Sequence, residues 1–87
     1  MDELYDELFD RLDRAIQQIN AVKSKVARRD LIKMVRAIDN KITAVDQESV
    51  ECRRLHKETL RYRELRHEVS ELLDNLEKHI VFAALIG

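Results

Sequence analysis

Apolar residues recur along the first part of the chain at alternating steps of three and four: Tyr5, Leu8, Leu12, Ala15, Ile19, Val22 and Val26. Charged and amide side chains fill most of the positions between them, which is the pattern of an amphipathic helix with a coiled-coil-like seam. A second series, Leu31, Val35, Ile38, Ile42 and Val45, is as regular but lies in another phase. A third, Leu55, Tyr62, Leu65, Val69, Leu72, Leu76, Ala83 and Ile86, differs from both and has polar members at Glu58 and His79. Within a seven-residue repeat the seam moves by two positions at the first change and by six at the second. A continuous coiled coil absorbs insertions of three or four residues by local winding, so these shifts predict turns instead. The first is expected at Arg28 to Asp30, with Asp30 as a cap, and the second in the polar cluster Asp46 to Ser49. The resulting expectation is one helical domain over 1–87 with helices at roughly 2–27, 31–46 and 49–86. It is all-α, either a three-helix bundle or a long kinked helical hairpin with coiled-coil-like packing.

Phe9 and Ile16 widen the first apolar face, and Leu73 and Ile80 widen the third, beyond what a two-stranded seam requires. Near the C-terminus Ile80, Val81, Phe82, Ala83, Leu85 and Ile86 make the helix apolar almost all round, and Leu4, Tyr5, Leu8 and Phe9 form a second concentration near the N-terminus. In a hairpin these two groups meet at one end. Leu4, Tyr5, Leu8, Phe9, Ile80, Val81, Phe82, Leu85 and Ile86 are therefore the candidate protein-binding residues.

Composition sharpens the fold class. The only glycine is Gly87 and there is no proline, so the strongest breakers of helix are missing from the interior. A chain of 87 residues buries little surface by itself, which makes association with another chain a natural source of stability. The opening Met1, Asp2, Glu3 carries no signal-peptide pattern, and the single cysteine, Cys52, excludes an intrachain disulfide. Both observations lead to the expectation of an intracellular, cytoplasmic protein. The apolar run Ile80–Ile86 is far shorter than the roughly 20 residues of a membrane span.

Charge changes the picture through its layout rather than its sum, which is -1. Blocks alternate along the chain: acidic from Asp2 to Asp13, basic from Lys23 to Arg36, acidic from Asp46 to Glu51, basic from Arg53 to Arg66, acidic from Glu68 to Glu77. Such blocks serve either as a register code between helices or as a solvated surface with local pairs such as Glu7 with Arg11, Asp10 with Arg14, and Asp74 with Lys78. In a hairpin the two basic blocks adjoin. Arg28, Arg29, Lys33, Arg36, Arg53, Arg54, Lys57 and Arg61 then form a belt for nucleic acid or an acidic protein. The acidic flanks and the lack of interleaved aromatics weigh against nucleic acid.

Little in the sequence supports catalysis. Cys52 and His56 have metal-ligand spacing but lack further ligands, and Glu64 with His67 is a single copy of a motif that di-iron bundles use twice. His79 falls at a seam position, where a buried imidazole would respond to pH, and Glu58 at another. A glycine-rich phosphate loop is impossible here. The expectation is a non-enzymatic protein-protein interaction or oligomerisation module, a small helical adaptor or subunit. It has no cofactor and no bound metal, and its partner is another copy of itself or another helical protein. The alternatives are a small nucleic-acid-associated protein and a peripheral membrane or secretion-related factor.

Overall fold

The computed structural model describes the backbone of residues 3–86 and the side chains of residues 6–85. Three helices, α1 (Glu3–Asn20), α2 (Lys25–Leu55) and α3 (Leu60–Ile86), each pack against the other two, with no strand among the described residues. The fold is an all-α three-helix bundle. Both connections are four residues long, 21–24 and 56–59, and so short a turn makes consecutive helices antiparallel. α1 and α3 therefore run parallel. At about 1.5 Å per residue, α2 is ~46 Å long and spans nearly the whole 48 Å length of the molecule. α1, at ~27 Å, covers only part of the α2–α3 hairpin. Arg11 bridges to Asp74 and Glu77, each at 2.7 Å, which sets α1 beside the second half of α3.

The helix boundaries differ from those expected. α2 runs unbroken through both Arg28–Asp30 and Asp46–Ser49, and the real turns lie at 21–24 and 56–59. The first is made by Ser24, in extended conformation, whose hydroxyl accepts the Ala27 N–H at 3.2 Å as a helix N-cap. Before it, Ala21 and Val22 donate to the carbonyls of Gln18 and Ile19, a tightened last turn of α1. Val26, the last member of the first apolar series, thus belongs to α2 and is 71 % exposed.

The second turn ends α2 at His56, which is left-handed (φ 57°, ψ 33°). Its N–H donates to the Arg53 carbonyl, and that of Lys57 to the Cys52 carbonyl at 3.1 Å. This is the Schellman pattern that usually recruits glycine. Thr59 then caps α3, its Oγ1 accepting the Tyr62 N–H at 3.1 Å. The Thr59 hydroxyl hydrogen goes to Glu48 Oε1 at 3.0 Å, and its backbone N–H points to Cys52 Sγ at 3.5 Å. One residue thereby caps a helix and ties it to its neighbour.

A single core cluster runs through the molecule. α1 contributes Leu8, Leu12, Ala15 and Ile19, followed by Val22 in the turn. α2 contributes Leu31, Ile38, Ile42 and Val45, and its seam continues in step through Ser49 and Cys52. Among the described residues Ser49 is the only buried polar one, and it is satisfied by donating to the Asp46 carbonyl at 2.6 Å. A polar residue at this core position made an uninterrupted helix look like a break. α3 buries Tyr62, Leu65, Val69, Leu73, Leu76 and Ile80. Leu73 and Ile80, rather than Leu72 and His79, hold the centre of its face. His79 is exposed, its Nδ1 2.8 Å from the Asn75 carbonyl, so the expected seam histidine is not formed. Glu58 lies in the second turn and pairs with Arg63 and Arg66 instead of sitting in the seam.

Candidate functional site

Helix ends collect at one extremity of the bundle: the C-terminal ends of α1 and α3 and the N-terminal end of α2. On α3 the inward positions are Leu76, Ile80 and Ala83, so the residues between them face solvent. Val81 is 59 % exposed, Phe82 68 % and Leu85 79 %. This is a concentrated apolar surface on a helix whose other face is already buried. Beside it, a groove of about 530 Å³ opens between α3 and the end of α1. Ala21, Val22, Ile80, Val81, Ala83 and Ala84 wall it, and Gln18 and Lys23 complete the lining. Three alanines leave depth that larger side chains would fill.

A second groove, of about 570 Å³, lies on the other flank of the α1–α2 turn. Asn20 closes one side, and the first three turns of α2 present Lys25, Arg28, Arg29, Lys33 and Arg36 around an exposed Ile32. These five cations take part in no ion pair among the described residues. Lys25 and Arg28 stand in the first turn of α2, where the helix dipole already places partial positive charge and where acidic residues are the stabilising choice. The two grooves share no lining residue, but Ala21 lines the first and its neighbour Asn20 the second, so the apolar and the basic surfaces flank the same turn.

The expected binding residues divide accordingly. Val81, Phe82 and Leu85 form the exposed patch, whereas Leu8 and Ile80 are core residues at 8 % and 5 % exposure. Phe9 is 38 % exposed on α1. The side chains of Leu4, Tyr5 and Ile86 lie outside the described residues. The two apolar concentrations do not meet as expected. With three helices rather than two arms, α1 is parallel to α3, so Leu8 lies at the level of Arg66 and Ser70 while Ile80–Ala84 lie beside Gln18–Lys23.

The expected basic belt is divided as well. Because α2 is one helix, Arg36 and Arg53 stand ~26 Å apart along it, and Arg53, Arg54, Lys57 and Arg61 sit at the opposite extremity from Arg28, Arg29, Lys33 and Arg36. That far block is partly neutralised. Arg54 pairs with Glu51, an ion pair that holds the Glu51 carboxyl below the usual carboxylate range and raises the guanidinium. Glu58 pairs with Arg63 at 3.3 Å and with Arg66 at 3.1 Å, and the Arg66 guanidinium lies 5.0 Å over the ring of buried Tyr62.

Local charge pairs also differ from those expected for a solvated surface. Arg11 reaches across to α3 rather than back to Glu7, and Asp74 pairs with it. Lys41 meets Glu68 between α2 and α3 at 2.9 Å. Acidic residues of the last block thus align with basic residues on both other helices. Among the weighed metal ligands, Cys52 is buried against Thr59 while His56 has left the helix at its cap, so the two share no helix face. Glu64 and His67 are both exposed, and His67 pairs with Glu71 at 2.7 Å. No group of three or more potential metal ligands occurs among the described residues, nor any helix long and apolar enough to cross a membrane.

Sequence reasoning placed Ala83 in the third apolar series but did not single out the groove walls Ala21 and Ala84 or the Thr59 node. Alanine carries no strong pattern signal, and the turn at 56–59 lacks glycine and proline. Comparison with known proteins finds no matching family model, no matching curated protein and no matching solved structure.

Proposed function

We propose that this chain is a helical protein-protein interaction module without catalysis, which works through the end of the bundle where α1 and α3 finish. The observation that carries this reading is the exposure of Val81, Phe82 and Leu85 on a helix whose opposite face is in the core. Exposed apolar residues scattered singly have no special meaning, but a cluster beside an open apolar groove is a surface that gains from being covered. An amphipathic helix fits such a groove through side chains spaced three and four residues apart.

The test is to substitute outside the core. Phe82→Glu and Leu85→Glu are expected to leave helicity and thermal stability nearly unchanged while abolishing capture of the partner or self-assembly. Light scattering across a concentration series reads the self-assembly arm. Substitutions at this end that alter neither association nor partner capture would overturn the proposal.

A further inference from the structure

We infer that the occupant of this end is an acidic amphipathic helix of a different chain; the inference rests on the reading above and gives its partner a chemistry. The α1–α2 turn and the first three turns of α2, residues 21–36, contain six cations, Lys23, Lys25, Arg28, Arg29, Lys33 and Arg36, against one carboxylate, Asp30. The second basic block, at the far extremity, is flanked by Glu51 and interspersed with Glu58 and Glu64, whereas the cations of this block have only Asp30 among them and stand at the end that also carries Phe82 and Leu85.

A two-fold contact of this end with a second copy would bring the same six cations together. Like charges facing one another select against that pairing. An acidic helix does the reverse. Its Leu, Ile or Phe side chains enter the groove walled by Ala21, Ala83 and Ala84, whose short side chains admit them. Its carboxylates then face Lys23 at the rim and, around the turn, Lys25, Arg28 and Arg29. None of these cations gives up an existing ion pair among the described residues. Complementarity of this kind acts mainly on partner choice and association rate, while the apolar contact holds the complex.

The experiment uses the full chain and two synthetic amphipathic helices with the same Leu/Ile face, one with Glu at the remaining positions and one with Lys. The Glu peptide is expected to bind and to weaken by about tenfold when the salt concentration rises from about 50 mM to about 500 mM. Arg28→Glu with Arg29→Glu should abolish the preference for the Glu peptide, and Ala84→Leu should block both peptides by filling the groove. Circular dichroism confirms that each variant is folded.

If both peptides bind equally well, the acidic partner is overturned while the apolar docking surface stands. If neither binds and the chain does not self-associate, both readings fall. Salt-sensitive self-association of the chain would identify a second copy as the occupant and overturn the inference. So would binding to phosphatidylserine-containing vesicles or to duplex DNA in the absence of binding to the Glu peptide.

Discussion

Thr59 shows how much one side chain can fix when its polar groups are fully used. Its Oγ1 accepts from the first turn of α3, its hydrogen goes to Glu48 of α2, and its N–H rests on the Cys52 sulfur. Thr59→Ala removes the cap and strands the Glu48 contact, with an expected loss of ~1–2 kcal/mol in denaturant unfolding. Thr59→Ser keeps the hydroxyl and should recover most of that loss. His56 is the opposite case. A non-glycine residue at φ 57° carries steric cost that His56→Gly relieves, offset in part by glycine's larger chain entropy, for a net gain of about 0.5 kcal/mol. A decrease in stability on His56→Gly would mean that the imidazole makes a compensating contact.

Arg11 sits between Asp74 and Glu77, and the hydrogen bond to Glu77 is the largest of the effects that raise its pKa. A raised folded-state pKa means a contribution that is present below the ordinary arginine range, as long as the partner carboxylates are ionised, and is lost as pH climbs through the folded value. The coupling between Arg11 and Glu77 in a double-mutant cycle, expected at ~0.5–1 kcal/mol for a half-exposed pair, should therefore be the same at neutral pH as at moderately alkaline pH. It should fall with added salt.

At the scale of the element, α3 departs from the seven-residue repeat read in the sequence. Its buried residues fall into pairs eleven apart, Tyr62 with Leu73, Leu65 with Leu76, and Val69 with Ile80. That period, about 3.67 residues per turn, is close to that of a straight helix and needs no left-handed supercoil. A heptad count drifts off such a helix, which is why it selected Leu72 and His79. Leu73→Ala is accordingly expected to cost ~2–5 kcal/mol, clearly more than Leu72→Ala, and His79→Ala almost nothing. Comparable losses at Leu72 and Leu73 would restore the heptad frame.

α1 and α2 do keep heptads, and their apolar series were legible almost in full. The turns were not. Ser24 and Thr59 are ordinary capping residues, but with no glycine or proline beside them they are indistinguishable by pattern from Thr43 or Ser70, which lie inside helices. The phase changes announced that the chain turns twice without showing where, because a seam residue such as Val22 can stay buried after its helix has ended. The exposed character of Val81, Phe82 and Leu85 was visible as a run with no polar side. Which of the flanking apolar residues would be taken into the core depended on the handedness of the face, and so on the three-dimensional packing.

For the whole molecule the decisive number is the parity of the helix count. Two arms would join the apolar termini; three helices separate them and leave the basic stretch of α2 beside the α3 patch alone. Unequal helix length has its own consequence. α2 and α3 adjoin in sequence and close on each other across four residues, whereas α1 is held to α3 by contacts such as Arg11 with Glu77, 66 positions away along the chain. α1 is also the shortest helix and is attached along only part of the hairpin. Opening it exposes less surface than opening the hairpin, so amide hydrogen exchange should report two tiers of protection. α1 would exchange through local detachment, well before the centres of α2 and α3. Detachment of α1 also removes Ala21 and Val22 from the wall of the groove. A ligand bound there should slow exchange in α1, although few of its own contacts need be with that helix.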